Sequence, residues 1–233
     1  MPDTNAIYPV LKNAPIVEAI AQFRFGSRLS SEQLNAFEAQ LRPDFPSDAK
    51  EPVIETTRRT FASADEKRYV RVGQSDLAYH KLAPYGDGND FRTELRILWR
   101  ALQKVAPETL ATEATLRAIN RVDINAEEAS EQDKYFNTFP MVGDALPSML
   151  ASAFMRLVIP HPERDDIRGV IVWATQPAGG DIISFIVDIE AMAQFTYPSN
   201  EESLLWDTME LLRQFRNQLF FESITEKTRE MYL

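Results

Sequence analysis

Nine residues at the midpoint of the chain, 116–124, read LRAINRVDI and constrain the fold more than any other stretch. Leu116, Ala118, Asn120, Val122 and Ile124 alternate with Arg117, Ile119, Arg121 and Asp123. Successive side chains on a strand point to opposite faces, so the segment is predicted to be a strand with one apolar and one charged face. On either side of it the same order of signals recurs: strand, helix, several strands, long helix. That order predicts an α+β fold, an antiparallel sheet with long helices packed on one face. It also suggests pseudo-duplication of a β-α-β-β-β-α unit, with halves at residues 1–115 and 116–233 in one compact domain.

In the first half, Val17, Ala19, Ala21, Phe23 and Phe25 alternate with a mixed set, which predicts a strand ending at Gly26. Ser30 and Gln33 then have the spacing of a capping box, and Leu34, Phe37 and Leu41 form the apolar stripe of a helix that stops before Pro43. A Pro-rich loop is predicted over 43–52, followed by strands at 53–61, 68–74 and 77–82. The last two are joined through Gln74-Ser75-Asp76. After a Gly- and Asp-rich turn at 84–90, Phe91, Leu95, Leu98, Leu102 and Val105 mark an amphipathic helix. Its outer face carries Arg92, Arg96 and Arg100, read as a solvated stripe or, more sharply, as a phosphate-binding face.

The second half continues through an acidic connection at 127–133 and an aromatic patch of Tyr135, Phe136 and Phe139. A short helix is predicted at 146–155, then strands at 157–159, 169–175 and 182–190, the last two meeting at a Gly-rich turn over 177–181. Ser199 and Glu202 have the spacing of a second capping box, opening a long helix with Leu204, Leu205, Thr208, Leu211, Leu212, Phe215 and Leu219 on one side. A polar tail follows.

Composition excludes several chemistries. With no cysteine, the chain has no disulfide, no thiol nucleophile, no thiolate zinc and no iron–sulfur cluster. The start has no basic segment followed by an apolar one, and no apolar run approaches a membrane span, so a cytoplasmic protein without membrane association is the expectation. Of the net charge of −10, the first half carries −1 and the second half −9. Duplex nucleic acid needs a basic face, so the whole chain is not expected to bind it. A protein partner, with a basic one favoured by the acidic second half, is the alternative, and a homodimer is open.

Catalytic frames are sparse. His80 and His161 are the only histidines, no metal-ligand spacing surrounds either, and no metal is expected. The phosphate loops GxxxxGK[ST] and GxGxxG are absent, as is GxSxG, and no cofactor is expected. What remains is a set of carboxylates and arginines predicted to share a sheet face: Glu18, Arg117, Arg121, Asp123, Asp188 and Glu190. Asn120 belongs to the opposite, apolar face, where a buried amide must tie down a loop or line a pocket. Arg58, Arg59, Lys67, Arg68, Tyr69 and Arg71 supply a basic and aromatic mix suited to single-stranded nucleic acid.

Three segments carry a family resemblance. They are Ala14-Pro15-Ile16-Val17-Glu18-Ala19-Ile20, Arg117-Ala118-Ile119-Asn120-Arg121, and Phe215-Arg216-Asn217 with Phe221-Glu222-Ser223-Ile224-Thr225. Together they resemble a sporadically distributed family of uncharacterised bacterial proteins of similar length. The family pattern implies an aromatic before the Ile-Asn pair, where this chain has Ala118. The resemblance implies fold unity along the chain and an accessory or defence-associated role. The expectation is a non-enzymatic, partner-binding or regulatory protein. The alternatives are an enzyme binding a small molecule or phosphate ester on the sheet face, and a single-stranded nucleic-acid binder.

Overall fold

The computed structural model describes residues 8–48, 58–86, 88–143, 145, 152–179 and 181–233. The first half contains β1 (Ile16–Phe25), α1 (Ser31–Leu41), β2 (Ser47–Asp48), β3 (Arg59–Ala62), β4 (Arg68–Val72), β5 (Asp76–Leu82) and α2 (Gly88–Val105). The second contains β6 (Ala111–Asn125), a 3-10 turn at Gln132–Lys134, β7 (Phe154–His161), β8 (Arg164–Gly179), β9 (Ile182–Ser199), α3 (Glu202–Ser223) and α4 (Glu226–Glu230). The strands form one antiparallel sheet in the order β2-β3-β4-β5-β1-β6-β9-β8-β7. The order reads the same outward in both directions from the β1–β6 pair. Each half contributes its opening strand to the centre and its later strands, last to first, toward the rim.

Small residues occupy the middle of the sheet. Ala19 pairs with Ala118 and Ala21 with Leu116, while Ala191 and Ala193 on β9 are fully buried. Short side chains there leave room for large ones from the helices, as close packing requires. Phe23 on β1 meets Trp99 of α2 at 4.9 Å between ring centroids and Trp206 of α3 at 6.1 Å. α1 adds Leu34, Phe37 and Leu41 to this core, and its Arg42 lies over the Phe61 ring. In the second half Phe136, from the loop after β6, packs against Trp173 and Phe185. Burying a side chain of this size contributes about 1.5–3 kcal/mol relative to leaving it exposed.

Local signals hold at many positions. Ser30 caps α1 with both halves of the capping box present, Gln33 N donating to Ser30 Oγ at 3.1 Å and Ser30 N to Gln33 Oε1 at 2.8 Å. Other boundaries require correction. The loop predicted at 43–52 includes β2, which pairs with β3. The strand predicted at 53–61 is described only from residue 58 and is paired from Arg59. The helix predicted at 146–155 lies largely outside the described residues, and its last two positions, Phe154 and Met155, open β7.

Ser199 does not cap α3. β9 extends through Ser199, the helix begins at Glu202, and Ser199 Oγ instead accepts from Glu201 N at 3.0 Å. Leu204 faces outward at 43% exposure. The polar tail folds into α4, capped by Thr225 Oγ1 and held by Thr228, which donates to Tyr135 O at 2.6 Å. Among the described residues no helix is long and apolar enough to cross a membrane.

Gly169 on β8 lies directly beneath α3. A Cβ there runs into Leu219 Cδ1 and comes within 3.1 Å of Phe215 Cε1, both in a packed core. Gly169→Ala is therefore expected to lower the unfolding free energy by about 1–3 kcal/mol in a urea titration. Gly143→Ala, where a Cβ meets nothing within 4 Å, is expected to stay near wild type.

Candidate functional site

The two faces of the sheet differ in chemistry. Glu18, Arg117, Arg121, Asp123, Asp188 and Glu190 share one face, by the registers of β1 with β6 and of β6 with β9. The other face bears Phe61, Tyr79, Phe23 and Leu116, where Arg42 lies over Phe61, Tyr79 donates to Glu94 of α2, and Phe23 meets Trp99 of α2 and Trp206 of α3. Five of these six charged side chains are paired. Arg117 donates from Nε and Nη2 to Asp188 at 2.8 and 2.5 Å. Glu18 Oε1 lies 2.7 Å from His80 Nδ1. Arg121 reaches Asp123 at 3.2 Å, and Ser184 Oγ donates to the same carboxylate at 2.6 Å.

These pairings shape the titration of the face. The hydrogen bond with His80 holds Glu18 below the usual carboxylate range, helped by the charges of His80, Arg117 and Arg71. Glu190 moves the other way: burial raises its pKa, with the charges of Asp188 and Glu113 adding to the rise and Arg117 and Arg156 opposing it. Glu190 makes no hydrogen bond or ion pair among the described residues. Arg156 of β7 shares this face through the register with Val172 and Asp188, and its charge acts on Glu190.

The first half's basic and aromatic mix does not form one surface. Arg59 and Arg68 point to the helical face and pair with Glu38 and Glu94, Arg58 pairs with Asp76, and Tyr69 and Arg71 face the opposite side. The Arg92, Arg96, Arg100 stripe is also not a free solvated face. Arg92 and Arg100 reach Glu210 and Glu202 of α3, and Arg96 lies over the Trp206 ring, so the stripe joins the two helices. His161 packs edge-on against Phe215 at 4.8 Å, and its Nδ1 accepts from Glu163 N. Among the described residues no three His, Asp or Glu side chains gather to hold a metal ion.

A cavity of about 860 Å³ lies on the helical side, where β1 begins at Ile16 and the chain before it lies off the sheet. Its floor is Ala118 and Asn120 of β6 with Ile189 of β9. Asn120 is 2% exposed, and its Nδ2 donates to Val187 O at 2.8 Å and to Ala118 O at 3.2 Å. The amide therefore both braces the sheet and lines the cavity. One wall is the strap of residues 8–15, with Tyr8 stacked on Phe221 at 4.7 Å and Asn13 N donating to Tyr232 O at 3.3 Å. Tyr85 and the start of α2 form another wall, and α3 the roof.

The roof carries the charge. Glu210, Arg213, Arg216 and Asn217 fall on one stripe of α3 because three- and four-residue steps face the same way. Arg213 donates to both oxygens of Glu210, at 2.9 and 2.6 Å, which holds that carboxylate below its usual range. Arg216 has no such partner. It is 7% exposed, its Nη2 donates to Asn217 Oδ1 at 2.9 Å, and its Nη1 makes no hydrogen bond among the described residues. Burial pushes its guanidinium pKa down; Tyr85, which hydrogen-bonds to it, opposes, and neighbouring Arg213 adds to the drop.

A buried cation of this kind is costly unless an anion meets it. The sequence did contain a signal for it: Arg216 lies four residues after Leu212 and three before Leu219, inside the apolar stripe. The three segments that carry the resemblance also meet here, through Ala14, Pro15 and Ile16, Ala118 and Asn120, and Arg216, Asn217 and Phe221.

The raised pKa of Glu190 fixes a sign. Its neutral form is favoured in the folded state, so this contribution is fully present below the ordinary value of 4.5 and is lost as pH rises through the elevated pKa. Glu190→Gln is therefore expected to melt higher than wild type at neutral pH. The advantage should vanish in melts recorded below pH 4.5.

Compared with known proteins, the chain matches no family model and no curated protein.

Proposed function

We propose that the protein is a non-enzymatic binding protein for a small organic anion, held in the cavity between α3, the 8–15 strap and the centre of the sheet. The observation that carries this reading is Arg216: a buried guanidinium with no carboxylate partner among the described residues, in the wall of an 860 Å³ cavity. Small-molecule sites are mainly apolar concavities with a few convergent polar groups, and this one has Ile189, Phe220 and Phe221 around Arg216 and Asn120. A cytoplasmic regulatory role, in an accessory system of the kind the resemblance implies, belongs to the same reading. So does pseudo-duplication of the two halves, which the mirrored strand order supports.

Thermal melts with naphthalene sulfonate, and with neutral naphthalene methanol as control, test the proposal. The sulfonate is expected to raise the wild-type melting temperature and the alcohol to leave it unchanged. Arg216→Met removes a charge-assisted hydrogen bond, which amounts to about ten- to a hundredfold in affinity. The unliganded variant should melt no lower than wild type, because replacing a buried unpaired charge by an apolar side chain is neutral or stabilising. Equal shifts in wild type and variant would sink the reading.

A second reading concerns a protein partner, and the edge of the sheet favours a second copy of this chain. β7 is an eight-residue edge strand with Phe154 71% and Val158 52% exposed, whereas the opposite edge, β2, spans two residues. Two such edges pair antiparallel about a two-fold axis, each presenting the same residues to the other. Sedimentation is expected to give a dimer for wild type and a monomer for the double variant Phe154→Asp, Val158→Asp. A monomeric wild type at high protein concentration removes this reading.

A further inference from the structure

Resting on the cavity reading above, we infer that its ligand is an organic phosphate monoester, bound as the dianion with its phosphate under the α3 roof and its organic group against Tyr8 and Phe221. Charge is the first argument. Among the described residues the cavity wall presents Arg92, Arg213 and Arg216 against a single carboxylate, Glu210, which leaves two positive charges in excess before Lys12 of the strap is counted. A carboxylate or sulfonate monoanion neutralises only one of them. A phosphate monoester carries up to two at neutral pH, since its second pKa lies near 6.

The second argument is the compactness of the charge. Arg213 and Arg216 are three residues apart on α3, close enough that Arg213 depresses the pKa of Arg216, and Arg92 reaches the same Glu210 from α2. Separated carboxylates on a dicarboxylic acid would place one charge away from this cluster. A single tetrahedral group holds both charges at one point and offers several acceptor oxygens to the guanidinium forks. Arg216 Nη1 and Asn217 supply donors beside it, and Asn120 lies across the floor.

The third argument is the apolar remainder of the cavity. Tyr8 and Phe221 lie parallel, with 2° between ring planes, and Ile189 and Phe220 continue that surface. Inorganic phosphate would leave this surface empty. An aromatic or otherwise flat organic group fills it and adds apolar burial to the ionic contact.

Calorimetric titration of the full chain with phenyl phosphate, benzenesulfonate and inorganic phosphate tests the assignment, at about pH 5 and about pH 7.5 to span the second phosphate pKa. Facing groups on the protein are Glu210, Arg213 and Arg216 of α3, Arg92 of α2, Tyr85, Lys12, and Glu222 behind Tyr8. Glu210, held low by Arg213, stays ionised throughout this range. Phenyl phosphate is expected to bind at least about tenfold tighter at the higher pH, and tighter than both benzenesulfonate and inorganic phosphate there. Benzenesulfonate should show no such gain.

Arg213→Gln is expected to erase the preference for phenyl phosphate over benzenesulfonate, while Arg216→Met weakens both. If phenyl phosphate and benzenesulfonate bind equally at the higher pH, the phosphate assignment is overturned and the anion-binding reading stands. If none of the three binds, both fall.

Discussion

The antiparallel pairing of β1 with β6 is the interaction on which the rest of the molecule depends. It is the only described junction between the strands of the first half and those of the second, and it runs from Ile16 opposite Asn120 to Phe25 opposite Ala111. Phe23, in the middle of this pair, touches a tryptophan from α2 and another from α3, so the same strand that joins the half-sheets also fixes both long helices. The cavity follows from the same pairing. β6 continues to Asn125, past the Ile16 end of β1, and near that end Ala118, Asn120 and Ile189 form the floor beneath α3 and the strap.

Charge is handled in two different ways on the two sides of the sheet. On the open side, arginines and carboxylates alternate across neighbouring strands and neutralise one another, as Arg117 does with Asp188. Such pairs orient side chains and contribute modestly to stability, because solvent screens those that are half exposed. On the helical side the deeply buried guanidinium of Arg216 has no carboxylate partner among the described residues. Stability alone does not favour that placement, because burial penalises the charged form. The same residue types are thus paired on one side and partly unpaired on the other.

Much of the architecture was legible because its signals are local. Period-two alternation marked β1 and β6, Ser30 and Gln33 marked the start of α1, and the Leu and Phe spacing marked α2 and α3. Two errors share one cause. β9 runs on through Ser199, and β7 begins at Phe154 where a helix was expected, because in each case strand pairing with β6 or β8 outweighs the local pattern. Asn120 was identified as a buried amide on an apolar face, and the polar residues of β1, β6 and β9 were assigned to a common face. Their ion pairing was not legible, since it depends on register across strands far apart in sequence, as between Arg117 and Asp188.

By itself, the sequence determined where strands and helices form, which face of each is apolar, and that chemistry based on thiols is excluded, because propensity, periodicity and composition act over a few residues. Only the tertiary structure decided that the two halves close into one sheet through β1 and β6, and that the strap seals its end. It also decided that Arg216 is buried beside Arg213 with an unmet donor. In sequence Arg216 is one more arginine in an apolar stripe. Its meaning comes from the desolvation imposed by segments around positions 8–16, 85–92, 118–120 and 189, which converge only once the sheet has formed.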